Sequence, residues 1–400
     1  MKSLISLLLI LFPFIGQADT WIQKADFGGG NRQWTCGIGI GNKGYLGLGS
    51  PPLSNDFWEF DPALNSWTQK ANFGGVARYG ATGFSIGNKG YIGTGGGNSD
   101  FWEYDQATNT WTQKADYPAG GPSGAVSFSI GNKGYIGTGY ESGMGVNNEF
   151  WEWDQATNTW IQKTNLAGPA RWLGVGFSIG NKGYITTGAV GAGASDSLLN
   201  DLWEWDQATD VWTQKTGLGF PRVEAMGFSI GNYGYVGVGS VVWGSADIND
   251  FWEYNPVTDA WTQVADFGGG QRELAQGFSV GCKGYFGAGI INDANQHSDF
   301  WEYTPNSYVC VTGVNDISSS ATGLIISLNP ANDQLIISAV LTAGEKKEIN
   351  ITDVNGKNVF RQTFVQRGQM TIDISSFAKG IYFVIATNGK EKIVKKFLKE

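Results

Sequence analysis

The sequence has little of what most catalytic and metal sites are built from. Its 400 residues include one histidine and three cysteines, and only 16% of them are charged. A Ser-His-Asp triad would have to use His297, which lies in a polar loop without a nucleophile motif nearby. Cys36, Cys282 and Cys310 lack the C-x-x-C spacing typical of zinc sites. The residues therefore predict no catalytic centre, no metal site and no cofactor.

Positive charge is also scarce. The chain has 27 Lys and Arg against 36 Asp and Glu, a net charge of −9. Clustered Lys and Arg are needed to contact phosphates, so the composition excludes nucleic acid as a partner. Residues 19–324 carry 15 basic and 29 acidic side chains, whereas residues 325–400 carry 11 and 7. An acidic body followed by a mildly basic tail indicates two modules.

The long hydrophobic run is at the N terminus. Lys2 precedes the apolar residues 4–12, and small residues in 16–18 match a cleavage site. The run is too short to span a bilayer, so residues 1–18 are predicted to be a secretory signal peptide. An N-terminal anchor helix is the alternative. We expect the mature chain to leave the cytoplasm without a transmembrane segment.

Glycine and aromatic residues are abundant and form a repeat. There are 60 glycines, and 14% of the residues are aromatic. A Trp-Thr/Ile-Gln phrase starts at Trp21, Trp67, Trp111, Trp160, Trp212 and Trp261. Between these phrases lie segments like 83–91, with a tight glycine turn, and like 101–105, so each unit offers four short strands. Four strands repeated every 44–52 residues predict a propeller blade, and six units predict six blades.

The two ends of this repeat complement each other. The Trp21 phrase precedes every other strand, while the last unit has Cys310 where its fourth-strand tryptophan is expected. The N-terminal strand is therefore predicted to complete the last blade, which removes an exposed sheet edge. The predicted propeller covers residues 19–304.

The pattern Gly-Tyr-Ile-Gly-Thr-Gly, then Phe-Trp-Glu-Tyr-Asp, then Trp resembles the kelch repeat over about residues 21–304. One departure is that the second glycine of the family pair is split, as in residues 93–95. The resemblance implies an all-β, six-bladed kelch β-propeller of the galactose oxidase-like kind. Some kelch-like propellers are copper radical oxidases that need two histidines, which His297 alone cannot supply. Others epimerise sialic acids.

The C-terminal part follows a different pattern. Residues 305–325 are rich in Ser, Asn, Thr and Gly and are predicted to be a linker. From residue 326, β-branched runs replace the repeat, with Leu-Asn-Pro at 328–330 and Lys-Gly-Ile-Tyr at 379–382 as landmarks. Residues 326–400 resemble the C-terminal sorting domain of the type IX secretion system (Por secretion). This implies a small β-sandwich that engages the type IX export machinery, passage through the periplasm, and a protein that is secreted or held at the outer cell surface. A plain accessory β-sandwich is the alternative.

Candidate ligand-binding residues lie in loops that a propeller brings to one end. These are the loops from the fourth to the first strand and from the second to the third strand. They carry Arg32, Trp34, Arg78, Tyr79, Arg171, Trp172, Arg222, Glu224, Arg272 and Glu273. Arginine binds carboxylates and aromatic rings offer stacking surface, so a sugar, a carboxylate or an acidic peptide is the expected ligand. In kelch proteins that bind peptides, arginines at similar places face the ligand. The alternative is that the arginines pair with blade carboxylates.

Other features complete the set of expectations. Trp34, Trp172 and Trp243 stand outside the blade pattern, and the loops 140–148, 189–200, 240–249 and 290–298 are the least alike. One glutamate recurs in every third strand: Glu59, Glu103, Glu152, Glu204, Glu253 and Glu302. A ligand has no six-fold symmetry, so these are predicted to be scaffold that accepts hydrogen bonds from neighbouring blades.

The cysteines allow at most one internal pair. Cys282 replaces an asparagine of the last hairpin turn, and Cys310 stands in the register of the missing tryptophan. In an up-and-down blade these two turns lie on the same face, which makes a Cys282–Cys310 disulfide one candidate pairing. Cys36 is expected to be a buried thiol.

The function favoured by these residues is binding. We expect an exported, monomeric, non-catalytic propeller that engages a glycan, a peptide or a protein. One alternative is a kelch-type sialic acid epimerase or mutarotase, in which Glu224 and Glu273 would move a proton. The other is a structural or adhesion protein of the cell surface. The fold alone does not decide among them.

Overall fold

A computed structural model describes residues 19–191, 193, 196–243, 246–292, 294–306, 324–327, 334–339, 347–353, 356–364, 368–387 and 392–399. The chain divides into two compact units, one up to residue 308 and one from residue 309. The described residues form strands and loops, without a helix. The predicted signal peptide, residues 1–18, lies outside the described residues.

The first unit is a propeller of six four-stranded antiparallel sheets. It begins with β1 (Thr20–Lys24). Blade 1 holds β2 (Cys36–Ile40), β3 (Lys43–Gly47), β4 (Phe57–Asp61) and β5 (Ser66–Gln69). Blade 2 holds β6 (Thr82–Ile86), β7 (Lys89–Gly93), β8 (Phe101–Asp105) and β9 (Thr110–Gln113). Blade 3 holds β10 (Val126–Ile130), β11 (Lys133–Gly137), a short ribbon of β12 (Tyr140–Glu141) and β13 (Gly145–Val146), then β14 (Phe150–Asp154) and β15 (Thr159–Gln162).

The remaining blades repeat this order. Blade 4 holds β16 (Val175–Ile179), β17 (Lys182–Thr186), β18 (Leu202–Asp206) and β19 (Val211–Lys215). Blade 5 holds β20 (Met226–Ile230), β21 (Tyr233–Gly237), β22 (Phe251–Asn255) and β23 (Ala260–Val264). Blade 6 holds β24 (Gln276–Val280), β25 (Lys283–Gly287), a ribbon of β26 (Ile290–Ile291) and β27 (Asn295–Gln296), then β28 (Phe300–Thr304).

The N-terminal strand closes the propeller, as predicted. Strand β1 pairs antiparallel with β28 and is the outermost strand of blade 6, with Trp21 opposite Tyr303. The Trp21 indole donates a hydrogen bond to the Ala265 carbonyl at 3.0 Å. Its ring packs edge-on against Phe251 and Phe267, each with a centroid distance of 5.1 Å. The first and last described parts of this unit are therefore held together by one blade.

The glycine of each Lys-Gly-Tyr phrase permits close packing between blades. At Gly134 an added Cβ would lie 1.9 Å from Cζ of Phe84, which belongs to the preceding blade. At Gly44 it would lie 2.0 Å from Cε2 of Phe278, across the junction of blades 1 and 6. Any side chain at these positions would displace the buried ring. The abundance of glycine in the sequence thus follows in part from packing between sheets rather than from turns alone.

The repeated glutamates are scaffold, but their donors are not the predicted ones. The cross-strand tyrosine of the same blade donates to them, for example Tyr91 to Glu103 at 2.9 Å and Tyr184 to Glu204 at 2.7 Å. The prediction of donors from neighbouring blades is wrong because this tyrosine lies directly opposite the glutamate in the strand register. Neighbouring blades are linked through the tyrosine instead: Gln155 of blade 3 donates a hydrogen bond to the hydroxyl of Tyr91 in blade 2 at 2.8 Å.

The second unit is a sandwich of two antiparallel sheets. Its strands are β29 (Leu324–Ser327), β30 (Gln334–Ala339), β31 (Lys347–Asp353), β32 (Asn358–Phe364), β33 (Gly368–Asp373), β34 (Gly380–Thr387) and β35 (Lys392–Lys399). One sheet has the order β29-β30-β33 and the other β32-β31-β34-β35. Leu335 and Ile337 of the first sheet share a core with Ile351 and Phe397 of the second. Strand β29 begins two residues before the start predicted for this domain, within the predicted linker.

Candidate functional site

The six loops that lead into the first strands meet at one end of the propeller. One residue of each loop has a left-handed backbone: Trp34, Gly80, Gly124, Leu173, Glu224 and Leu274, with φ between 51° and 66°. Backbone hydrogen bonds run from one of these residues to the next around the propeller. Gly124 N donates to Gly80 O at 3.0 Å, and Leu173 N donates to Gly124 O at 2.9 Å. The loops therefore form a fixed collar at this end.

An aromatic platform, made of Trp34, Tyr79, Tyr140, Trp172 and Trp243, lies on this collar. The Trp172 ring is central, with centroids 6.1 Å from Trp34 and 6.0 Å from Trp243. Tyr140 packs on Trp172 at 5.1 Å, and Tyr79 on Trp34 at 5.8 Å. The indoles are partly exposed, and Tyr79 is 43% exposed. The three tryptophans outside the repeat thus converge on one surface.

Loop contacts hold this platform in place. Buried Leu173, Val223 and Leu274 pack beneath the indoles. The Trp172 indole donates a hydrogen bond to the Gly191 carbonyl at 2.8 Å. Tyr140 was not among the predicted site residues. Its signal in the sequence was its place in 140–148, one of the loops that differ most between units.

A carboxylate cluster of Glu224, Asp247 and Glu273 lies in the same group of loops. Burial, together with hydrogen bonding and repulsion from Glu224 and Asp247, raises the pKa of Glu273 to about 10. The Glu273 side chain has no exposed surface, and Asp247 is 2% exposed. The backbone N–H of Asn292 donates to Asp247 Oδ2 at 2.6 Å. At neutral pH this cluster must hold a proton on Glu273, because the three charges would otherwise repel one another at short range.

The two predicted glutamates are thus brought together, and Asp247 is an addition. It lies in the variable loop 240–249, which marked the region but not the residue. Among the described residues, no group of three or more histidine, cysteine or acidic side chains is arranged to hold a metal ion. A proton on Glu273 reduces the negative charge of the cluster.

The five loop arginines occupy a different place from the one predicted. Their exposed fractions are 5% or less for Arg32, Arg78, Arg171, Arg222 and Arg272. Each forms an ion pair with an aspartate of the same blade, as Arg171 does with Asp201 at 2.6 Å. A second hydrogen bond of 2.7 Å makes that contact bidentate. The expectation that these guanidinium groups face a ligand is corrected, because burial and pairing make them part of the scaffold.

The cysteines and the histidine are the other candidate residues for chemistry. Cys36 is free and buried, and burial raises its pKa to about 12, so the thiol is protonated at neutral pH. Cys282 is disulfide-bonded, and its predicted partner, Cys310, lies outside the described residues. Burial and the Arg272 charge lower the pKa of His297.

A small cavity lies between the first strands of the six blades. Its volume is about 100 Å³, and backbone atoms with Cys36, Thr82, Ser127 and Gln276 line it. Pockets for drug-sized ligands are about 300 Å³ or larger. The cavity therefore suits a few water molecules. A more open groove of about 490 Å³ lies beside Phe220, Pro221 and Val241.

The two units match known proteins separately. Residues 329–400 match the model of the secretion system C-terminal sorting domain. This segment is a secretion sorting domain. It marks the chain for export through the type IX system to the cell surface or the medium. Among the described residues, no helix combines the length and the apolar character needed to cross a membrane.

The propeller is similar to the solved structure of YjhT, a kelch-type β-propeller. The TM-score is 0.60 at 16% sequence identity, and the match covers 69% of this chain and 95% of YjhT. The fold is thereby established as a kelch propeller. No curated protein matches the chain. At this identity the likeness carries the fold and no activity.

Proposed function

We propose that this exported protein is a non-catalytic binding module and that its propeller binds a neutral carbohydrate at the aromatic platform. The observation that carries the proposal is the partly exposed cluster of Trp34, Trp172 and Trp243, which packs on buried loop residues and stands outside the blade repeat. Aromatic faces match the apolar faces of sugar rings. A rigid collar beneath the rings limits the entropy lost on binding.

The charges around the platform favour a neutral ligand over an acidic one. The arginines that would bind a carboxylate ligand already form ion pairs with aspartates. The propeller region 19–324 has 15 basic and 29 acidic side chains, so its field repels anions. Glu224, 9% exposed, is the carboxylate of the cluster nearest to solvent and offers an acceptor for sugar hydroxyls. An acidic peptide, one of the ligands expected from the sequence, is disfavoured on the same grounds.

A glycan array with the full chain tests this proposal. Trp172→Ala should weaken binding to any positive glycan at least about tenfold, because the central ring of a contact surface dominates its affinity. Phe220→Ala is the matched control. Phe220 is 61% exposed and lines a separate apolar groove with Pro221 and Val241. If both variants lost the same affinity for the glycan, or if only Phe220→Ala lost affinity, the platform would not be the binding site.

A sugar epimerase or mutarotase is the second candidate, and the protonated state of Glu273 is what favours it. A carboxyl group that keeps its proton at neutral pH can donate it to a substrate as a general acid, and the neighbouring Glu224 carboxyl would take the role of the base. Catalysed mutarotation of sialic acid or hexoses, followed by NMR exchange, would be lost in Glu273→Gln. If the mutarotation rate with the wild-type protein equals the rate in buffer alone, the epimerase or mutarotase hypothesis is wrong.

A structural or adhesion role is the outcome if both tests are negative. A blank array together with no catalysed mutarotation would leave the platform without a small ligand. The sorting domain still delivers such a protein to the cell surface or the medium. Whether the exported chain is released or retained is then measured by separating cells from medium and detecting the propeller in each.

A further inference from the structure

Each buried loop arginine contacts a carboxylate and a backbone carbonyl of its own blade, and in blades 1, 2 and 6 it also lies over a phenylalanine ring. In blade 2, Arg78 contacts the Asp100 carboxylate at 2.6 and 2.9 Å. It also donates to the Thr94 carbonyl at 3.1 Å, and its guanidinium lies 5.0 Å from the centre of the Phe73 ring. Thr94 has a left-handed φ of 60°, which turns its carbonyl towards the guanidinium. In blade 2 the guanidinium site therefore consists of a carboxylate, a carbonyl and an aromatic ring.

Blade 3 has no arginine at the corresponding position. Pro122 occupies this position, and a shared backbone hydrogen bond identifies it as the equivalent of Arg78. Its carbonyl accepts a hydrogen bond from Gly95 N at 2.9 Å, just as the Arg78 carbonyl accepts one from Gly49 N at 2.9 Å. A proline side chain has no donor. The described blades thus hold five guanidinium groups in six equivalent places.

The acceptors of this sixth place are nevertheless retained. Glu149 Oε2 accepts a hydrogen bond from the Trp151 indole at 3.1 Å, in the same way that Asp100 accepts one from Trp102 at 2.7 Å. Thr138 keeps a left-handed φ of 62°, like its counterpart in blade 2. A carboxylate and a carbonyl are therefore present at this sixth place, with a glutamate where the other blades have an aspartate.

The aromatic part of the site is also kept, with a change. Tyr117 packs edge-on against Trp151 at 6.3 Å, which matches the packing of Phe73 in blade 2. The Tyr117 side chain is 2% exposed, and its hydroxyl has no hydrogen-bond partner among the described residues. Burial and the charges of Glu149 and Glu141 raise its pKa. Glu141 approaches the same loop, since a Cβ on Gly120 would lie 2.2 Å from Glu141 Oε1.

We propose that blade 3 binds an alkyl guanidinium group supplied by a ligand, at a site formed by Glu149, Glu141, Tyr117 and the Thr138 carbonyl. A planar guanidinium donates to a carboxylate and a carbonyl at once, as the five internal arginines do. The acidic propeller draws cations towards this end of the molecule. The group can come from a free guanidinium compound or from an arginine side chain of a polypeptide. This site is independent of carbohydrate binding at the platform.

Calorimetric melting of the full chain tests the proposal. Methylguanidinium chloride, added at a low concentration at which guanidinium salts do not yet denature proteins, should raise the Tm of the propeller by about 2 °C or more, with tetramethylammonium chloride at equal ionic strength as the reference. An arginine tripeptide blocked at both ends, compared with its citrulline analogue, separates the two sources. A response to the peptide assigns a polypeptide ligand, and a response to methylguanidinium alone assigns a free guanidinium compound.

Three variants make the test specific. Pro122→Arg should supply the missing group within the chain, raise the Tm and abolish the response to methylguanidinium. Glu149→Gln keeps an acceptor for Trp151 but removes the charge, and should weaken the response at least about tenfold. Asp116→Asn removes the same charge from an exposed residue next to Tyr117 and should change nothing. If Pro122→Arg does not fold, Glu149→Gln decides alone. A wild-type response no larger than that to tetramethylammonium, or an unchanged response in Glu149→Gln, overturns the proposal.

Discussion

At the scale of single residues, the loop arginines show how burial decides a side chain's role. The Arg171 guanidinium has no exposed surface and makes two hydrogen bonds to Asp201. A third goes to the Thr187 carbonyl at 3.1 Å. With the bond from Nε to the Pro169 carbonyl at 3.2 Å, four of its five N–H donors are used inside the protein. Because it is buried and paired, this side chain is not available to a ligand, although its residue type and loop position suggested one.

Arg171→Ala should therefore lower the free energy of unfolding by about 3–5 kcal/mol, because it leaves a partly buried carboxylate without its partner. Denaturant unfolding monitored by tryptophan fluorescence measures the change. Trp172→Ala, at the next residue, is the control and should cost clearly less, since its ring is partly exposed. If Arg171→Ala were as stable as the wild type, a role of Arg171 in ligand contact would be favoured over a role in the scaffold.

The raised pKa of Glu273 predicts how the free energy of unfolding changes with pH. Its pKa rises from 4.5 to about 10 on folding, so between these values the folded protein binds a proton that the unfolded chain releases. The free energy of unfolding should then fall as pH rises through this window, and the contribution is complete only below about pH 4.5. Glu273→Gln imitates the protonated acid and should flatten the fall, raising stability at pH 8 by about 1–3 kcal/mol.

The control for this prediction is Glu302, whose shift has the opposite sign. Although burial opposes it, hydrogen bonds from Lys283 and Tyr285 lower the pKa of Glu302. Its contribution is present at neutral pH and is lost as pH falls, so Glu302→Gln should destabilise the protein at pH 8. Stability curves of both variants from pH 5 to 9 are the measurement. A parallel fall for wild type and Glu273→Gln would show that Glu273 is ionised in the folded state.

At the scale of strands and blades, closure depends on one short N-terminal strand. Trp21 links β1 to blade 6 through its strand pairing and links blade 6 to blade 5 through Ala265, Phe251 and Phe267. A propeller opened at this point exposes the edge of β28 along its whole length.

Trp21→Ala should thus cost about 3 kcal/mol or more, as expected for removing a packed tryptophan. Ile22→Ala is the control, because the neighbouring side chain on the same strand is 50% exposed and should be nearly neutral. Thermal melting of both variants gives the comparison. Equal melting temperatures would mean that the other strand contacts close the propeller without this ring.

At the scale of the whole molecule, the sorting domain and the aromatic platform lie in separate units. The sorting domain occupies residues 329–400, and the platform lies in the unit that ends at residue 308. A chain shortened to end before residue 329 should keep the propeller fold but stay in the periplasm. Immunodetection in cell fractions and medium measures this, with full-length Trp172→Ala as the exported control. Normal levels of the shortened chain in the medium would contradict the assignment.

The sequence by itself determined the number of blades, the closing strand and the sorting tail. It could do so because each rests on a pattern within one stretch of chain: a tryptophan phrase at regular spacing, a missing phrase at the last unit, and a run of landmarks at the C terminus. Trp34, Trp172 and Trp243 were also visible, as exceptions to a repeat. Such signals need no knowledge of which loops meet.

Only the tertiary structure decided what the loops do. Glu224, Asp247 and Glu273 come from three separate loops, so their shared proton depends on distances that no local pattern encodes. Arg171 and Asp201 likewise pair across 30 positions of sequence. The arginine sites could not be recognised before their acceptors were known. For the same reason, the sequence could not show that Pro122 stands beside a carboxylate and a carbonyl that pair with an arginine in the other blades. The physical cause is common to all three cases: burial and charge act through space, and folding sets the neighbours.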